Sequence, residues 1–471
     1  MRKKSWLLLV GILLLGLVIR VVKIGSLPMY GDELTMVYDI YSISKTGMDA
    51  TGQKLPLTFK MGEGRPGGYI YFSLPFVAAF GPTVWGVRSL SLISGLGIIL
   101  LMYFLGRKLF DEKVGLWASF LTSISLWDIY LSRGGFEAHF ALFLALFGIT
   151  MFFDKKYVWW AVGWGLAILT YPTFKLTLPI MLLLITALSG LKKLIKNKHF
   201  LIGISILTLF GGVAIAQTFT AGSENRFMNL NIFSDNRIKQ SIIQNVNYER
   251  TVSTLPKFLK PVFINKPIEY GRKLFESYIA NISPDFLVLR GDGNPRNNPG
   301  EMGMIYLAEL PLIIIALFLL KKENKKNFAL LSGWILITPI ATALMEGPHA
   351  LRNGLMLPAL ILLSAYTFSK LSKKQMTTVL TLIFLQLAYI LIRIYTIAPA
   401  KFATFWSAPA KTAALKAIED SKSGEKVALD VTKIDNIEYA YEVYAKLDPR
   451  EVIEQSGKFP KVYGNVTITD K

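Results

Sequence analysis

The chain reads as long apolar runs separated by short polar segments. A bilayer's hydrocarbon core of about 30 Å takes roughly 20 residues of helix. Runs at or near that length recur at about 6–25, 84–105, 114–131, 137–153, 158–172, 174–190, 200–219, 304–320, 328–345, 354–369 and 376–397. The pattern predicts an α-helical polytopic membrane protein with about eleven transmembrane helices. Pro172 and Lys175 interrupt the pair at 158–190. The first run follows Met1-Arg2-Lys3-Lys4 and continues through Arg20 to Lys23 with no small-residue cleavage site. It therefore reads as a retained helix rather than a signal peptide.

The polar breaks orient the chain. Basic clusters at Arg2-Lys3-Lys4, Arg107-Lys108 with Lys113, Lys155-Lys156, Lys192-Lys193 with Lys196 and Lys198, Lys321-Lys322 with Lys325-Lys326, and Lys370 with Lys373-Lys374 all fall on one side of the predicted helices. The short loops opposite carry single cations, Arg133, Lys175 and Arg352. Short cytoplasmic loops are enriched in Lys and Arg. The expectation is a multi-pass protein of the plasma (inner) membrane with a cytoplasmic N-terminus and an extracytoplasmic C-terminus. Three long segments then lie outside: a first loop at 26–83, a long loop at 220–303 and a tail at 398–471. Residues 1–397 read as the transmembrane catalytic domain. The tail reads as a small soluble α/β domain, helical near 408–422 and 436–446 and strand-like at 427–431 and 462–468.

Composition narrows the chemistry. Hydrophobic residues make up 52% and charged residues 18% of the 471, against roughly 25% charged in soluble domains. There is no cysteine, which excludes thiolate metal sites, cysteine nucleophiles and redox switches. The net charge of +20 sits in short clusters between apolar runs, so it reads as membrane orientation and not as a nucleic-acid surface.

Polar residues that persist beside apolar runs are costly and informative. Tyr30-Gly31-Asp32-Glu33 follows the first helix. Its adjacent carboxylates suit a base or a hydroxyl partner, or else the first turn of a surface helix. Gly64-Arg65-Pro66-Gly67-Gly68-Tyr69 is a turn of small residues with one cation, suited to an anion or to lipid headgroups. Arg133-Gly134-Gly135-Phe136-Glu137-Ala138-His139 packs three charged or titratable groups into one short turn. Glu137 there can act chemically or simply begin a helix. Glu346-Gly347-Pro348-His349 with Arg352 forms another turn on the same side. Arg88 stands just inside the second apolar run, ready for phosphate or for snorkelling to the surface.

In order and common side, these residues resemble the GT-C glycosyltransferases. They fit the branch of protein O-mannosyltransferases and lipid A aminoarabinose transferases in particular. The resemblance rests on Gly31-Asp32-Glu33, Gly64-Arg65-Pro66, Arg88-Ser89-Leu90, Tyr103–Phe110, and Leu131-Ser132-Arg133 followed by Glu137, and covers roughly residues 1–220. It implies sugar transfer from a polyprenyl-phosphate carrier to an acceptor hydroxyl on a protein, lipid or glycan at the extracytoplasmic surface. By that resemblance Asp32 is the general base, Glu33 its support or an acceptor contact, and Glu137 the second acid, where many relatives carry Asp. Arg65 holds the donor phosphate, joined by Arg133, Arg352 and Arg88. Tyr30, Tyr69 and His349 are candidate substrate contacts. No cofactor is called for and no metal ligand set is named, although a divalent metal stays open among outer-side carboxylates and histidine. The alternative is a transporter or flippase of lipid-linked sugars, which would place charges on broken helices at mid-membrane.

Overall fold

A computed structural model describes residues 3–60, 64–219, 231–345 and 347–470. Each predicted apolar run forms a helix. The first seven runs give α1 (Lys3–Val21), α4 (Val84–Leu109), α5 (Glu112–Ile124) with α6 (Leu126–Ser132), α7 (Glu137–Phe153), α8 (Tyr157–Thr170), α9 (Phe174–Ser189) and α10 (Lys198–Thr218). The last four give α13 (Glu309–Glu323), α14 (Lys325–Ala343), α15 (Leu357–Phe368) and α16 (Lys373–Ile392). Among the described residues four helices are long and apolar enough to cross a membrane, or up to five if the bent pair α5–α6 is one span. The remaining helices among the described residues are shorter or less apolar. The chain is a multi-pass membrane protein.

The run at 114–131 is not one straight helix. It bends by 55° between α5 and α6, where Ser125 caps the new helix by accepting the Asp128 N–H. Asp128 is then buried between the Arg20 guanidinium and His139 Nε2. A buried carboxylate must be paired and hydrogen-bonded, so this cluster ties α1, α6 and α7 together.

The segments predicted as outer loops contain helices of their own. In the first lie α2 (Gly31–Thr46) and α3 (Gly68–Phe80). Asp32 and Glu33 occupy the first turn of α2, where negative charge is favoured by the helix dipole; the pair does begin a helix, but that helix is buried along most of its length and not a surface one. Between α2 and α3 a short ribbon pairs β1 (Thr58–Phe59) with β2 (Arg65–Pro66), Phe59 opposite Arg65. In the long segment lie α11 (Asn236–Val252) and α12 (Lys266–Ala280), whose own small core is Ile232, Ile238, Ile242 and Val246.

The C-terminal segment adds α17 (Ala408–Lys422), β3 (Val427–Asp430), α18 (Ile437–Tyr444), α19 (Pro449–Glu454), β4 (Lys461–Tyr463) and β5 (Val466–Thr469). The sheet order is β3-β5-β4, with β3 parallel and β4 antiparallel to β5. A parallel pair needs a crossover, which α18 and α19 supply. This unit docks on α2: α18 and α19 pack against it, and the Tyr38 hydroxyl donates to the Leu447 carbonyl at 3.0 Å. The helix carrying Asp32 is thus held from both sides.

Candidate functional site

The site is built around one guanidinium. The β1–β2 ribbon carries Arg65 inward, and Gly64 takes φ +80° to make the turn, a conformation that favours glycine. Arg65 Nη2 meets Asp32 Oδ1 at 2.9 Å and Nε meets Glu137 Oε1 at 2.8 Å. Nη1 donates to the Asp32 carbonyl and the Thr35 hydroxyl. Residues 32, 65 and 137, far apart in sequence, therefore converge. Their exposures differ: the side chain is 1% exposed for Arg65, 11% for Glu137 and 54% for Asp32. Burial alone would lower the Arg65 pKa, but Asp32 and Glu137 more than offset it and hold it above its usual value. Arg65 is a fixed cation, Glu137 a recessed acid and Asp32 an open one.

The other predicted residues take different posts. Glu33 is buried and forms a two-pronged pair with Arg88, at 2.7 Å to Nε and 2.6 Å to Nη2, and also accepts the Gly135 N–H. Arg88 does not snorkel. Its remaining donors go to the carbonyls of Ile24, Leu27 and Pro28, the strand of chain leaving α1. Arg133 likewise spends its donors on backbone, bonding the carbonyls of Ile19, Arg20, Val22 and Lys23. That caps the C-terminus of α1, where orphan carbonyls attract a cation. Tyr69 is buried and donates to the Val87 carbonyl beside Ser91. These contacts hold the ends of α1, α3, α4 and α7 nearest the site together and leave little on these groups for an outside ligand.

Tyr30 is buried between Phe136 and Trp406. Burial pushes its pKa up, helped by the charges of Asp32, Glu33 and Glu137, so it stays a neutral hydroxyl. His349 lies 3.7 Å from Asp292; burial lowers its pKa to about 4, leaving it neutral near pH 7. Arg352, half-buried beside it, makes no hydrogen bond or ion pair to any described residue. Glu346 lies outside the described residues. No group of three or more His, Asp or Glu that could hold a metal occurs among the described residues.

Three neighbours of the site were not singled out as site residues from the sequence. Arg296 lays its guanidinium over the Tyr30 ring at 5.1 Å and donates through Nε to the Phe405 carbonyl. It belongs to the stretch at 290–300 rich in Gly, Asn and Pro, whose irregular turns were the available signal. Asn436 presses its carboxamide on Gly31, so that a Cβ there would come within 2.4 Å of Oδ1. Asp39, two turns along α2 from Asp32, is buried and accepts the Ala50 N–H; burial raises its pKa to about 8.

Residues 65–215 match the dolichyl-phosphate-mannose-protein mannosyltransferase family; that span includes Arg65, Arg88, Arg133 and Glu137 and begins after Asp32. No curated protein matches the chain by sequence. Among solved structures, ArnT from Cupriavidus metallidurans bound to undecaprenyl phosphate is 11% identical with a TM-score of 0.59, covering 93% of this chain and 85% of that one. AglB, an archaeal oligosaccharyltransferase from Archaeoglobus fulgidus in complex with an inhibitory peptide and a dolichol-phosphate, is 12% identical with a TM-score of 0.53. The match covers 94% of this chain, which spans 64% of AglB's length. This chain is thus similar to that family over the helices around Arg65 and Glu137, and it shares its fold with ArnT and AglB along nearly its whole length.

Proposed function

We propose that the protein is an inverting glycosyltransferase that moves a sugar from a polyprenyl-phosphate carrier to an acceptor hydroxyl. The observation that carries this reading is the Arg65 bridge between Asp32 and Glu137, with only Asp32 open to solvent. The acceptor oxygen attacks the anomeric carbon and its proton passes to Asp32. The bond from that carbon to the phosphate oxygen breaks on the opposite face, which inverts the centre. A base for the incoming hydroxyl and a sink for the departing charge are the two needs of such a step.

Arg65 carries less of the phosphate role than its resemblance implies, because its donors are engaged by Asp32, Glu137 and Thr35. We assign it to holding the two acids apart and oriented. The leaving phosphate falls to cations with donors that the described residues leave unspent: Arg296 beside Tyr30, and Arg352. The donor's tail has a suitable place between α8, α9 and α10. A groove of about 390 Å³ there is lined by Ile168, Leu178, Leu182, Ile204 and Leu207 and holds Lys175. It adjoins the Arg65 turn, since Gly68 packs directly on Thr170 at the end of α8. The alternation of basic clusters supports an extracytoplasmic site with the N-terminus inside. The clustering of acids and cations at one end of the bundle favours an enzyme over a flippase.

The test uses purified protein in lipid nanodiscs with synthetic polyprenyl-phosphate sugars and release of polyprenyl phosphate as the readout. Turnover by wild type and its loss in folded Asp32→Asn is the expected result. Full turnover in that variant removes Asp32 as the base.

A further inference from the structure

The hairpin of α11 and α12 has an unusual surface. Its inner side is the small core around Ile238, Ile242 and Val246, against which Ile264, Tyr270 and Leu274 pack. Its tip carries a second apolar set turned outward: Val252 at 57%, Phe258 at 75%, Val262 at 57%, Phe263 at 58% and Ile268 at 50% exposure. Large apolar residues so exposed in a cluster mark an interaction surface.

The charge on this tip is one-sided. From Arg250 to Ile268 there are four cations, Arg250, Lys257, Lys260 and Lys266, and no acid. Lys257 and Lys266 are exposed. Aromatic and aliphatic side chains interleaved with lysine are the composition of a segment lying in a membrane interface. Rings and alkyl chains enter the acyl boundary while ammonium groups meet headgroup phosphates. The hairpin is also anchored at a fitting place. Its far end is tied to the outer half of α14 and the turn after it, by Tyr278 to the Leu336 carbonyl, Ser277 to the Met345 carbonyl, and Asn281 to Asn353. That is the end of the bundle bearing Tyr30 and Arg296.

We propose that the 252–268 tip is a lipid-binding device that inserts into the headgroup layer of an anionic bilayer, on the face where the Asp32–Arg65–Glu137 cluster lies. The occupant of the patch is the phospholipid surface itself, as the basic charge requires, and not a second copy of this equally basic chain. The inference does not depend on the proposed reaction.

The absence of native cysteine makes the test direct. Phe258→Cys and Phe263→Cys, each labelled with an environment-sensitive fluorophore, are placed in nanodiscs of zwitterionic lipid or of lipid containing phosphatidylglycerol, with Lys458→Cys as a solvent-exposed control. The expected result is blue-shifted emission at 258 and 263, quenched more strongly by lipids spin-labelled near the headgroup than by deep labels, and strongest in anionic discs. Replacing Lys257 and Lys266 with Glu should weaken insertion by about fivefold per charge removed. Water-like emission in every disc overturns the proposal, as does insensitivity to lipid charge. A blue shift that disappears in discs holding a single copy, without lipid quenching, assigns the patch to a second copy and also overturns it.

Discussion

Arg65 and Asp32 are joined twice, by a 2.9 Å ion pair between side chains and by a hydrogen bond from the guanidinium to the Asp32 carbonyl. The second bond fixes the backbone of the first turn of α2, so the cation determines where the carboxylate stands. Glu137 completes the clamp from α7. This division of labour gives different kinetic signatures. Asp32→Asn should lower kcat about 10²–10⁴-fold, the usual contribution of a positioned base, with little change in donor KM. Glu137→Gln keeps the shape but weakens the hold on Arg65, and should lower kcat/KM without the pH-independent floor expected when the base itself is gone. Steady-state kinetics of the two variants separates the roles; identical profiles would merge them.

Glu33 and Arg88 form a buried ion pair. Breaking such a pair by removing one partner leaves an uncompensated buried charge, at a cost of about 3–5 kcal/mol. Arg88→Ala should therefore show as a lower melting temperature and poor recovery in detergent, with surviving protein still able to bind donor. Glu33→Gln removes the charge but keeps hydrogen-bonding oxygen, and should be milder. A folded Arg88→Ala protein of wild-type stability that no longer binds donor lipid would return Arg88 to the phosphate site.

How far the sequence foretold this depends on which contact is considered. The apolar runs located the long bundle helices, because burial in lipid or protein demands continuous apolar side chains, but not α3, an apolar helix inside the predicted first loop. Asp32, Arg65 and Glu137 could be named because each stands at the edge of such a run, where a charge needs a reason. The same logic placed Arg88 and Arg133 at the phosphate, whereas the structure turns their donors to Glu33 and to backbone carbonyls: a cation at a helix end is also what unpaired carbonyls of α1 recruit, and sequence does not record which carbonyls a guanidinium will reach. Arg296 and Asn436 were hidden for another reason. They come to Tyr30 and Gly31 from remote segments, and long-range juxtaposition of loops leaves no local periodicity. The hairpin at 236–280 was legible in principle, since its apolar residues recur at helical spacing, but its polar faces masked it beside the far stronger membrane runs.

Gly68 links the Arg65 turn to the bundle. A Cβ there would fall 2.9 Å from the Cα of Thr170 and 2.2 Å from its Oγ1. Backbone cannot step aside as a flexible side-chain end can, so Gly68→Ala should push the turn away from α8. Overpacking of this kind typically costs about 1–3 kcal/mol. Loss of turnover is expected alongside the loss of stability. Gly11→Ala on α1, where nothing lies within 4 Å, is the matched control and should behave as wild type. Equal turnover in the two variants would show that the contact does not position Arg65.

Asp39 gives the docking of the C-terminal unit a pH dependence whose sign can be worked out. Burial raises its folded pKa from 3.8 to about 8, and its Oδ2 has no hydrogen-bond partner among the described residues. Between these values the folded protein holds a proton that the unfolded chain has released. Stability therefore falls as pH rises from about 4 to about 8 and levels off above, at most roughly 1.4 kcal/mol per pH unit for one group. Glu442 on α18, raised by burial to about 7, contributes in the same direction, and its charge is one of those acting on Asp39. Asp39→Asn supplies a side chain that never ionises. It should match wild type near pH 5 and exceed it near pH 8.5, measured as melting temperature in detergent across that range. A variant that is less stable than wild type at the higher pH would mean that the Asp39 carboxylate is charged and paired in the folded protein, and that the contact between α2 and α18 is held by ions instead of by a buried neutral acid.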